Sequence, residues 1–146
     1  MQGIGKDLTK EAPRSPHEII GGFAIIARTI DKCRALLWGN TGEYHFDCPL
    51  DNQLFSFKGI TGDAFKAYVE TGASDEEVAA WVKTQGVPKT DEEIAAWSQQ
   101  AAANNYANET PEKKKWLSES AVSVGLSPDA TLFDFLDADD RASFVK

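Results

Sequence analysis

Apolar positions in this chain recur mainly three and four residues apart, in short blocks separated by turn residues. That period predicts amphipathic helices. No segment keeps the period-two alternation of a sheet; Tyr44-His45-Phe46 alternates, but three residues are too few. The first block is the longest. Ser15-Pro16-His17-Glu18 reads as a helix start, with Ser15 as cap, Pro16 at the first helical position and Glu18 completing a capping box. The helix predicted from there runs to about Trp38 and stops at Gly39-Asn40, with a kink or close contact at Gly21-Gly22.

Further blocks follow the loop over residues 39 to 47. Cys48-Pro49 opens a short helix that Lys58-Gly59 ends, and Thr61-Gly62-Asp63 opens another through about Glu70. Then SDEEVAAW, beginning at Ser74, is echoed 16 positions later by TDEEIAAW, with six of eight positions identical. Each copy is a capping box followed by an apolar pair and a Trp, which predicts two consecutive helices with the same start and the same buried Trp. Two copies at so short a period do not make a solenoid. Thr110-Pro111-Glu112 starts a helix that ends near Val124-Gly125. The tail reads as one or two short helices docked through Leu132, Phe133, Leu136 and Phe144. The expected fold is all-α: an extended arm over residues 1–13, then a single domain of about six or seven helices over residues 14–146, the long first helix packed against shorter ones.

A helical wheel centred on Ile19 gathers Ile19, Phe23, Ile26, Ile30 and Leu37 into one stripe. Arg28 and Lys32 fall opposite it, with Asp31 at the border, so these read as surface charges. Cys33 and Arg34 fall inside the stripe and are predicted to point inward. A free cysteine there is ordinary core packing. A guanidinium there must be paired, because isolated burial costs several kcal/mol. Its partner is either an internal carboxylate, with Glu43, Asp47 and Asp51 as candidates, or an anionic ligand held bidentately.

Composition fits this picture and narrows the partners. The chain has 146 residues, 42% hydrophobic and 10% aromatic, enough for one core without disulfides. A formal charge of −8 argues against nucleic acid and anionic membrane surfaces. The longest apolar stretch, residues 19 to 27, is too short to span a bilayer, and the first residues lack the apolar segment of a secretory signal. The expectation is a cytoplasmic protein with two free thiols.

Candidate chemistry then centres on Cys48. Preceding Pro49, it occupies the N-cap of the next helix, where backbone N–H groups and the helix dipole favour a thiolate. His45, three residues earlier, is the candidate base. Asp31, Asp47 and Asp51 would orient or pair these groups and join Arg34 in holding a ligand. Cys33, His45, Asp47 and Cys48 are of the types that bind zinc or iron, but their spacing matches no metal signature, and none is assigned. No cofactor is identified, and GNTG lacks the Lys-Ser/Thr of a phosphate loop.

The segments DLTKEAPRSP, ARTIDKCRALLWGNTGEYHFDCPLDNQLFSFKGI, SDEEVAAWV and FDFLDADDRASF resemble those of a bacterial small-protein family, domain of unknown function number five thousand and sixty-nine. The resemblance spans nearly the whole chain. It implies one domain and a bacterial source, and it carries over no catalytic residue. Two functions fit the sequence. One is a small-molecule-binding protein or enzyme with Arg34 as anchor for a small anionic ligand, Cys48 as thiolate and His45 as base. The other is an interaction or self-association module with an exposed apolar groove.

Overall fold

The computed structural model describes residues 5–144; the part of the expected arm over residues 1–4 lies outside the described residues. Among the described residues seven helices follow in order: α1 (Ile26–Trp38), α2 (Pro49–Lys58), α3 (Gly62–Val69), α4 (Asp75–Thr84), α5 (Asp91–Ala103), α6 (Pro111–Ser123) and α7 (Leu132–Phe144). No strand is assigned among the described residues. The fold is all-α, and no described helix is long and apolar enough to cross a membrane.

Local chemistry sets most helix starts. Ser74 and Thr90 both form complete capping boxes, with Glu77 and Glu93 returning the bond to the cap amides at 2.8 Å in each case. The echo therefore becomes α4 and α5. Its tryptophans are half-buried rather than buried, each stacked on a neighbouring ring: Trp81 on Tyr68 and Trp97 on Phe57, both at 4.8 Å between centroids. Thr61 and Thr110 cap α3 and α6 through their side chains, and Pro49 and Pro111 fit first-turn positions. The tail is one helix, α7. At the end of α2, the buried Lys58 ammonium donates to the carbonyls of Lys83 (3.0 Å) in α4 and Val87 (2.6 Å) in the loop after it, and burial pushes it below its ordinary pKa. Only glycine fits at residue 86, because a Cβ there would lie 1.8 Å from the Lys58 carbonyl oxygen.

The first helix differs from expectation in two ways. It begins at Ile26, not near Pro16. Ser15 caps nothing longer than a turn: its hydroxyl accepts from the His17 amide and donates to Asp137 on α7. Gly21 and Gly22 both take positive φ, and Ile20 and Phe23 pair across them. The chain thus makes a tight reversal where a kink was expected. Ser98 of α5 fixes this turn, donating to the Gly22 carbonyl (2.7 Å) and accepting from the Ala24 amide (2.8 Å).

Second, α1 is central. Every residue from Phe23 to Cys33 is buried, including Arg28, Asp31 and Lys32, while Ile19, the chosen centre of the wheel, is 52% exposed. The wheel assumed one solvent face, and α1 has none over its first two turns because α2, α3, α4 and α7 surround it. Asp31 and Lys32 are therefore not surface charges. Buried charge on such a helix has to be matched, and each is.

Candidate functional site

Two polar groups of opposite character flank α1. The first is a closed lattice. Arg14 donates to Asp31 through its amide (2.7 Å) and guanidinium (3.0 Å), and to Asp75 at 2.7 Å. Arg34 donates to the same Asp75 at 2.9 Å and to the Ala73 carbonyl at 3.1 Å. Burial pushes the Asp75 carboxyl up, but the hydrogen bonds and charges of Arg14 and Arg34 outweigh that and hold it below the usual carboxylate range. Arg34 thus has an internal partner, Asp75 at the start of α4, and not Glu43, Asp47 or Asp51.

The second group borders a cavity of about 870 Å³ between α1, α6, α7 and residues 42 to 50. Leu8 closes one side, held by its amide to the Asn40 carbonyl at 3.1 Å. Trp116, Leu132 and Leu136 form an apolar wall. Opposite stands a polar wall from α1. Arg28 makes a two-pronged bond to Asp140 of α7 (2.7 and 3.3 Å), and the Tyr44 hydroxyl donates to the same carboxylate at 2.8 Å. Burial, and then that bond to Asp140, push the Tyr44 hydroxyl well above its ordinary pKa. One turn along α1, the Lys32 ammonium lies 2.9 Å from Asp51 and donates to Cys48 Sγ at 3.2 Å. Asp51 is fully buried and also accepts from Thr29 Oγ1 (2.7 Å) and the Asp47 amide (2.9 Å).

The candidate site residues therefore separate. Cys48 is the N-cap residue of α2, half-buried on the cavity wall, and its sulfur accepts no α2 amide; it faces Lys32 instead. His45 borders the same cavity and is exposed. Asp51 stands behind Lys32. Asp47 sits at positive φ with its carboxylate bonded to Asn52, and a Cβ on Gly62 would strike it. Asp31 and Arg34 belong to the closed lattice and do not line the cavity. Cys33 is fully buried in the core, which pushes its thiol up to about 12.

Sequence reasoning missed Arg28, Lys32, Tyr44 and Asp140. The available signal was the density of charge in ARTIDKCR, four charged residues in one short helix between apolar runs. For metal, the ligand types considered were on Cys33, His45, Asp47 and Cys48. The potential ligand atoms that gather among the described residues are others: those of His17, Asp134 and Asp137 lie within 4.8 Å of one another at the surface, with His17 Nε2 3.0 Å from Asp134.

The fold and site define a small all-α protein with an amphipathic cavity beside a charged central helix. The chain belongs to the family described as Domain of unknown function (DUF5069), which matches residues 10–142. No curated protein matches the chain.

Proposed function

We propose that the protein binds a small amphipathic molecule in this cavity and presents Cys48 to it as a reactive thiol, with His45 as base. The carrying observation is the contact between the buried Lys32 ammonium and Cys48 Sγ, 3.2 Å, on the cavity wall. A cationic donor beside a partly exposed sulfur is the environment of reactive rather than packing cysteines. The charges on the wall narrow the ligand. Lys32 is matched by Asp51 and Arg28 by Asp140, so donors are present without a bare excess of positive charge. That favours an apolar body against Trp116, Leu132 and Leu136 and one acceptor oxygen, carbonyl or carboxylate, at Lys32. Lys32 takes the anchoring role that the helical wheel assigned to Arg34, whose two Nη atoms donate to Asp75 and Ala73. Asp51 orients Lys32, and the Asp47 amide holds Asp51. The setting in this reading is the bacterial cytoplasm, where free thiols persist.

Alkylation tests the thiol. Iodoacetamide near neutral pH, followed by peptide mapping, is expected to label Cys48 roughly a hundredfold faster than Cys33. Equal, slow labelling of both overturns the assignment. Ligand binding has a separate readout. Medium-chain carboxylates or carbonyl compounds are expected to raise the melting temperature, and Leu136→Trp, which fills the cavity, to abolish the rise. A second reading, self-association, draws on Leu36 and Trp38, 42% and 38% exposed at the end of α1. Sedimentation across a concentration series checks it, and a monomer throughout removes it.

A further inference from the structure

We infer that Cys48 and Lys32 form an oxidative modification site: a hydroperoxide converts their contact into a reversible covalent sulfur–nitrogen bond. This rests on the reading of Cys48 as a reactive thiol and adds its regulation. Three features support it. The two atoms are already in contact, Nζ to Sγ 3.2 Å. The amine cannot swing away, because its side chain is 4% exposed and held at 2.9 Å by the fully buried Asp51, itself fixed by Thr29 and the Asp47 amide. The sulfur is half-buried at the edge of an 870 Å³ cavity, so a small oxidant reaches it while bulk water does not surround the amine.

The chemistry balances. The Cys48 thiolate attacks one peroxide oxygen; the O–O bond breaks, an S–O bond forms, and the departing hydroxide is protonated to water. Sulfur is oxidised by two electrons and the peroxide is reduced. Lys32 then passes one proton to Asp51. The freed nitrogen lone pair attacks Sγ; the N–S bond forms and the S–O bond breaks. The hydroxide leaves with the proton held by Asp51, as water, and the new N–S group releases a second proton to solvent. The protein loses one hydrogen from sulfur and one from the amine's neutral form. A thiol reductant reverses the link by attacking sulfur and returning the amine. The bond ties α1 to the start of α2 and removes both the thiol and the donor from the cavity. Oxidation would thereby close the proposed site. Cys33 does not compete, since it is fully buried.

The test uses the full chain exposed to hydrogen peroxide, quenched, digested and mapped by mass spectrometry. The expected product is a linked pair of peptides containing Lys32 and Cys48, lighter by two hydrogens than their sum. It should disappear with dithiothreitol and be absent in Cys48→Ser and in Lys32→Arg. The arginine keeps the charge facing Asp51, and circular dichroism checks that both variants fold. Iodoacetamide labelling before peroxide separates the two claims. If Cys48 labels quickly but peroxide yields only a sulfinic acid or an intermolecular disulfide, the cross-link is overturned and the reactive thiol stands. If Cys48 neither labels nor links, both fall. A linked product that survives Lys32→Arg also overturns the assignment.

Discussion

The two sides of α1 carry the same material in different states. On one side Arg14, Asp31, Asp75 and Arg34 form a lattice in which carboxylates and guanidinium groups face each other. On the other, Arg28–Asp140 and Lys32–Asp51 are as well matched, but they form the wall of a cavity and hold a tyrosine hydroxyl and a thiol against it. The difference shows that buried charge alone does not mark a site. Arg34 had the sharpest signal in the sequence and fastens α1 to α4. Lys32 looked like a solvent charge and stands beside the half-buried sulfur of Cys48. Position relative to open volume separates the two roles.

That contrast can be broken from either side. The largest effect is expected at Asp51. Asp51→Ala leaves Lys32 buried without a counter-charge and Thr29 and the Asp47 amide without an acceptor, so urea denaturation should show a loss of about 3–5 kcal/mol. On the lattice side, Asp75→Asn should cost roughly 2 kcal/mol, because Arg14 and Arg34 remain partly solvated and keep other acceptors. The sign with pH follows from the depressed Asp75 pKa. Its stabilisation is complete above the unfolded-state value of about 4 and is lost as pH falls through the lower folded value. Asp75→Asn should therefore flatten the acid side of the stability profile and leave the cavity thiol's labelling rate unchanged. The smallest effect is expected at Ser98. Ser98→Ala removes the two bonds that pin the turn before α1, and chemical denaturation should register about 1–2 kcal/mol.

What could be read in the sequence was local. Ser74, Thr90 and Thr110 start their helices with side chains that accept from the amide three residues on, and such contacts need no knowledge of the rest of the chain. The Ser15 start failed although its letters are equally good. Two glycines follow it, and a serine from α5, more than seventy residues on, stabilises the reversal they permit. The wheel failed for a related reason. Its phase rested on Ile19, which is not helical, and its solvent face rested on α1 having one. The partners that make α1 central are distant in sequence: Asp140 is 112 residues from Arg28 and Asp75 is 41 from Arg34. Cys48 at a helix N-cap was legible because Pro49 is its neighbour. Its contact with Lys32 was not, because that depends on how α2 crosses α1.

Three of the four tryptophans, finally, serve as separate optical reporters. Trp81 and Trp97 each lie parallel to a neighbouring ring, 8° and 11° between planes, on the outer flanks of α4 and α5. Their near-ultraviolet dichroism follows the packing of that half. Trp116 stands at the cavity, half-exposed and edge-on to Phe135, so its emission colour changes when something displaces the water beside it. An occupant of the cavity and a loosening of the fold therefore leave different spectral traces without any added dye.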